Sequence, residues 1–146
     1  MNPTLEARAA NFPRFLEERM PVLVEFAEAL GGAEPHRILK EPNLFLPGIS
    51  EWLTHQAIAP EDRPWLVTRL GYFVGELFVT QFSGAWLLNE TSGSRYFGRY
   101  VVGQFAAFSN QNAQFDPFDV AMEAISNQSV SLESLCSEVS NALRAA

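Results

Sequence analysis

The chain has 146 residues, a formal net charge of −7, a single cysteine and one lysine among ten basic residues. Length and a 47% hydrophobic content indicate one domain over 1–146 with a real core and exclude a disordered chain. The acidic balance argues against nucleic acid and anionic membrane surfaces as partners and points to another protein, and a lone cysteine fits a reducing cytoplasm.

In chain order, Asn2-Pro3 reads as a helix start running to about Ala10, and Asn11 as the cap of a second helix carrying Pro13 in its first turn. Phe12, Phe15, Leu16, Leu23, Phe26, Ala27 and Leu30 recur at three- and four-residue spacing, so this segment is an amphipathic helix. Pro21 predicts a kink or break, and Gly31-Gly32 an end. Residues 33–48 read as a loop pinned by Leu44, Phe45 and Leu46, with Ser50 capping a short helix Glu51–Gln56 that turns Trp52 and Leu53 inward.

Pro60 to Pro64, with Glu61 and Asp62 in the first turn, opens a helix over Asp62–Ser83 that is apolar on every face. Its longest apolar run, Leu70–Val79, spans ten residues and includes Glu76, too short for a membrane span of about twenty. No basic stretch followed by an apolar run opens the sequence, so no signal peptide is expected and the chain reads as cytoplasmic.

A hairpin is expected next, with arms Ala85–Glu90 and Arg95–Phe105 around the turn Thr91-Ser92-Gly93-Ser94. Gly98 marks a bulge and Gly103 a bend or end; residues 106–108 extend the arm or start a third strand, and Ser109–Gln114 is a loop. Asp116-Pro117-Phe118-Asp119 is a helix start with Asp119 at the capping-box position. After a break at Asn127–Ser131, a last helix runs from Leu132 to Arg144. The fold class is therefore α+β: N-terminal helices, a buried central helix, a small antiparallel sheet (hairpin or three-stranded meander), and two C-terminal helices.

Glu76 is the residue of greatest chemical interest, because a carboxylate in an apolar helix has to be paired, hydrogen-bonded or neutralised by a proton. Its candidate structural partners are the Trp86 indole N–H, a backbone turn, Arg95 or Arg99; its functional alternative is an acid or base in a pocket. Gly71 and Gly75, one turn apart in that helix, call for close packing by a neighbouring element.

Arg95-Tyr96-Phe97-Gly98-Arg99-Tyr100 interleaves cations and rings, the composition of an interface. The candidate binding residues are thus Glu76, Trp86, Arg95, Tyr96, Arg99 and Tyr100. His36 and His55 lack metal-ligand spacing, Cys136 lies on an apolar helix stripe, and no Gly-x-Ser-x-Gly, Walker or dinucleotide motif occurs. No metal, no cofactor and no catalytic residue is expected.

The run Leu70-Gly71-x-x-x-Gly75-Glu76-Leu77, then Gly84-x-Trp86, then Asp116-Pro117-Phe118, resembles small uncharacterised bacterial domains in which a buried Gly-x-x-x-Gly-Glu helix feeds a Gly-x-Trp strand and an Asp-Pro-Phe helix follows the sheet. The likeness covers roughly residues 65–127 and implies architecture, without an activity. The expected function is that of a non-enzymatic bacterial protein-binding module, such as an immunity protein or a chaperone-like accessory protein. The alternatives are a small-molecule-binding domain or enzyme using Glu76, and a homodimeric structural protein built on the hairpin edge or the terminal helices.

Overall fold

The computed structural model describes residues 3–146; the expected cap Asn2 lies outside them. Five helices and a three-stranded antiparallel sheet form the α+β architecture: α1 Pro3–Ala29, α2 Leu46–Thr54, α3 Arg63–Phe82, β1 Ala85–Leu88, β2 Tyr100–Gly103, β3 Gln114–Phe115, α4 Pro117–Ser126 and α5 Leu132–Ala145. The sheet order is β1-β2-β3, with Trp86 opposite Val102 and Val102 opposite Phe115.

The buried helix α3 organises the molecule. Residues 70–78 are buried without interruption, because α4 packs along one side, α1 along another and the sheet over its C-terminal half. Helix apolarity on all faces is satisfied only by such surrounding. Ser83 ends α3 in the left-handed region at φ 53°. A β-carbon built on Gly71 would lie 2.0 Å from the Phe118 ring, and one on Gly75 2.0 Å from the Trp86 ring. The two glycines are therefore seats for aromatic rings from α4 and β1, and not for a neighbouring backbone.

Four segments differ from the sequence expectation. The N-terminal region is one continuous helix of 27 residues with Pro13 and Pro21 inside it. Asn11 caps nothing. Both prolines, and the residues Ala9 and Glu17 whose carbonyls lose a donor, are exposed, so the freed carbonyls lie within reach of solvent and the helix continues.

In 33–48, two short 3-10 turns (Pro35–Leu39 and Pro42–Leu44) precede α2, which begins at Leu46 and not after Ser50. Pro47 stands in its first turn, where no N–H is needed. Ser50 is buried within α2, and its hydroxyl accepts from the Glu133 N–H at 3.4 Å. Leu44, expected to pin the loop, is 53% exposed; Phe45 and Leu46 carry that contact.

The hairpin arms are shorter than predicted, and residues 89–99 form a structured connection. The buried Asn89 holds it: its side-chain Nδ2 donates to Gln114 Oε1 at 2.7 Å and its side-chain Oδ1 accepts from the Thr91 N–H at 2.9 Å. Gly98 (φ 78°) lies in that connection and is not a strand bulge. The third strand is Gln114–Phe115, beyond the position expected at 106–108. Phe105 and Phe108 are buried and bonded to each other as a turn, which leaves Ala106 and Ala107 exposed with no strand to join.

The two C-terminal helices begin where the sequence says. The Asp116 carboxylate accepts from the Phe118 N–H at 2.9 Å, with Pro117 following. Ser131 caps α5 through Ser134. Asp119 does not close a capping box; its carboxylate meets Arg99. Cys136 is buried on the apolar stripe of α5, and burial pushes its thiol up to about 12. A thiol so placed is inert at neutral pH. No described helix is long and apolar enough to cross a membrane.

Candidate functional site

The six candidate residues separate into three places. Glu76 and Trp86 form a buried pair: Trp86 Nε1–H donates to Glu76 Oε2 at 2.9 Å, and Arg19 Nη1 donates to the same oxygen at 3.2 Å. The cation that completes this cluster is thus Arg19 of α1, and not Arg95 or Arg99 of the hairpin. Glu76 is 7% exposed, and neither it nor Trp86 lines any of the five main clefts among the described residues. Its environment is that of a structural hydrogen-bond acceptor tying α1, α3 and β1 together.

Arg95 and Tyr96 line a cleft between the hairpin connection and the end of α5. The two stack on each other, with the Arg95 guanidinium 4.9 Å from the Tyr96 ring centre.

Arg99 and Tyr100 line a different cleft of about 470 Å³ bounded by α1, α3 and α4, and the Arg99 guanidinium, 6.0 Å from the Tyr96 ring centre, stands between the two. Its floor is aromatic: Phe15 lies 4.4 Å from Tyr100 and 4.9 Å from Tyr72, centre to centre, and Phe118 lies 5.9 Å from Tyr72. The floor is rigid because each tyrosine hydroxyl is anchored on α1. Tyr72 donates to the Phe15 carbonyl at 2.9 Å and Tyr100 to the Arg8 carbonyl at 2.6 Å. Burial pushes the Tyr72 hydroxyl up to about 12, so it stays a donor throughout the neutral range.

Charged groups form the rim. Arg99 Nη1 donates to Asp116 at 3.2 Å and to Asp119 at 3.0 Å. Arg8 lies over the Tyr100 ring at 4.5 Å and donates from Nε to the Gly98 carbonyl at 3.0 Å. Arg8 has no carboxylate partner among the described residues. Met122 stands at the mouth, 47% exposed.

Burial raises the Asp116 carboxyl above its usual range, against the opposing pull of the Phe118 N–H and Arg99. A carboxyl raised on folding favours the native state most when protonated, and that contribution is lost as pH rises through the folded value. Asp116→Asn, which keeps a capping oxygen and removes the desolvated charge, is expected to hold wild-type stability at pH 7. Asp116→Ala loses the cap and is expected to cost about 1 kcal/mol. Urea unfolding of the two variants checks both, and a loss in Asp116→Asn matching that in Asp116→Ala would show that the ion pair with Arg99 outweighs burial.

Sequence reasoning missed Arg8, Phe15, Tyr72, Asp116, Phe118 and Met122 as cleft residues. Only one signal pointed to them: a glycine at 71 demands that something large approach α3, and Phe118 is what does.

No family model, curated protein or solved structure matches this chain.

Proposed function

We propose that this domain is a protein-binding module and that its partner docks on the cleft between α1, α3 and α4. One observation carries the reading. The cleft's hydroxyls and carboxylates are already bonded within the protein and the rings of Phe15, Tyr72 and Tyr100 are buried beneath it, so what it offers outward is the half-buried Phe118, the Met122 side chain and the Arg8 guanidinium on a rigid aromatic base. Tyrosine, phenylalanine, methionine and arginine are the side chains enriched in interface cores.

A second cleft of about 480 Å³, lined by Pro64, Val67 and Ile125, shares Thr68 and Met122 with the first. The two together make an elongated surface, mainly apolar at one end, where Arg63 stands at its edge, and charged at the other, suited to a polypeptide. An immunity protein or a chaperone-like accessory protein is the kind of molecule that works by such an interface alone.

Met122→Asp tests the proposal. An exposed methionine contributes little to the fold, so the variant is expected to melt with the wild type. It is also expected to lose at least about thirtyfold in partner affinity, as at an interface hot spot. Tagged wild-type and variant proteins are used to capture from the source cells. A stoichiometric partner retained by the wild type and released by Met122→Asp supports the reading; no stoichiometric partner, or equal capture by both, overturns it.

A further inference from the structure

A different face of α3 bears a smaller cleft with a chemistry of its own. Trp65 projects from the first turns of α3 in a direction separate from Pro64 and Val67. With Trp52 of α2, Ile58 and Asp62 it lines a cleft of about 380 Å³, within the size range of small-ligand sites. Both indoles are set by the fully buried Phe26, against which they stand edge to face. Trp52 lies 6.3 Å from the Phe26 ring centre at 83°, and Trp65 6.2 Å at 76°. Trp65 nevertheless remains 46% exposed, a large apolar surface that folding alone does not call for.

Two features identify the matching ligand. First, Trp65 already takes a guanidinium on one face: Arg69 lies over its ring at 4.1 Å, anchored by a hydrogen bond from Nη1 to the Trp65 carbonyl, so a second guanidinium has only the opposite face and needs a carboxylate to offset the repulsion of Arg69. Second, the Asp62 carboxylate beside the indoles has no ion-pair partner among the described residues. Glu61 precedes it in a chain of net charge −7. Indole faces attract cations through the ring quadrupole, an unpaired carboxylate adds an acceptor, and both repel anions. A guanidinium satisfies the two at once, since it is planar enough to stack and forked enough to meet a carboxylate with two N–H groups.

The geometry points to a pocket for an arginine side chain presented by a partner protein, held between Trp52 and Trp65 with its guanidinium on Asp62. The inference rests on reading the domain as a protein-binding module, and it assigns that partner a basic anchor residue at a place separate from the Met122 cleft.

The test uses the full chain with no partner. Nα-acetyl-arginine amide is titrated while the three indole N–H resonances are followed by NMR. Trp86, buried and bonded to Glu76, serves as the internal reference. The Trp52 and Trp65 resonances are expected to shift saturably on the order of 1–10 mM, as befits one stacked side chain, while Trp86 stays in place. The uncharged isostere Nα-acetyl-citrulline amide is expected to bind at least about tenfold more weakly.

Asp62→Asn changes an exposed position; Trp65→Ala (followed on Trp52) also strips packing from Phe26, and an unmoved Trp86 resonance checks that it folds; each is expected to weaken the arginine probe by about fivefold. Unmoved Trp52 and Trp65 resonances, equal binding of the citrulline probe, or unchanged affinity in both variants overturns the inference. Failure here leaves partner capture at the Met122 cleft intact, and failure of Met122→Asp to release a partner leaves this titration unchanged, so the two proposals fall separately.

Discussion

Glu76→Ala is expected to destabilise the protein by about 3 kcal/mol, the low end for breaking a buried ion pair. The substitution orphans two donors at once, Trp86 Nε1–H and Arg19 Nη1, both of which bond Glu76 Oε2. The indole is 8% exposed as a residue, so little solvent reaches it to replace the lost acceptor. The Arg19 side chain is 24% exposed, so part of its charge stays solvated, which holds the cost below the upper end of the range. Its Nε is buried with no partner even in the wild type, and the guanidinium therefore depends heavily on Glu76.

Glu76→Gln keeps an acceptor for Trp86 and loses only the charge, and about half the cost is expected. In a domain of this length, 3 kcal/mol lowers the melting temperature by roughly 6–12 °C. Chemical and thermal unfolding measure both variants. Glu76→Ala within about 0.5 kcal/mol of the wild type, the range of an unremarkable surface change, would show that the cluster does not hold α1 to α3.

Gly75→Ala comes next in size. Two effects oppose each other. Alanine favours a helix over glycine by about 1 kcal/mol. Against it, the new β-carbon falls 2.0 Å from the Trp86 ring, which cannot yield cheaply. That ring is bonded to Glu76 and wedged edge-on against Phe15 at 5.1 Å. Overpacking of about 1–3 kcal/mol, added to a strained Trp86–Glu76 hydrogen bond, outweighs the propensity gain. A net loss of about 2–3 kcal/mol is expected.

Gly48→Ala is the control. Gly48 also lies within a helix, but nothing stands within 4 Å of its added β-carbon, so propensity acts alone and a gain of about 0.5–1 kcal/mol is expected. If Gly75→Ala were as stabilising as Gly48→Ala, Trp86 would have to be free to move, and the rigid seat described for it would be wrong.

Legibility in the sequence followed the range of the interaction. The start of α4 was readable because Asp116, Pro117 and Phe118 act on one another within three residues, and the observed cap joins Asp116 to the Phe118 N–H. The N-terminal helix is continuous through Asn11, where the sequence suggested a division, and does not break at Pro13 or Pro21, because whether a proline ends a helix depends on where the freed carbonyl points, and solvent exposure is a property of the folded molecule. The hairpin arms were overextended because Tyr96, Phe97 and Phe105 have strand-like composition but pack in a connection and a turn. Glu76 was visibly in need of a partner, and Trp86 was among those named for it. The choice of arginine was not, since Arg19 lies 57 positions away from Glu76 and nothing local distinguishes it from Arg95 or Arg99.

By itself the sequence determined the class of fold, the burial of the helix around residues 70–78 and the demand that Gly71, Gly75 and Glu76 find close neighbours. Those are consequences of composition and helical period, which need no knowledge of what packs against what. Tertiary structure alone decided that the neighbours are two aromatic rings and Arg19. It likewise decided that Arg99 and Tyr100 line the cleft with Arg8 and Asp116 while Arg95 and Tyr96 line another, and that Trp52 and Trp65 share one cleft beside Asp62. Each of these joins residues far apart in the chain, and their meeting is set by how whole helices dock on α3.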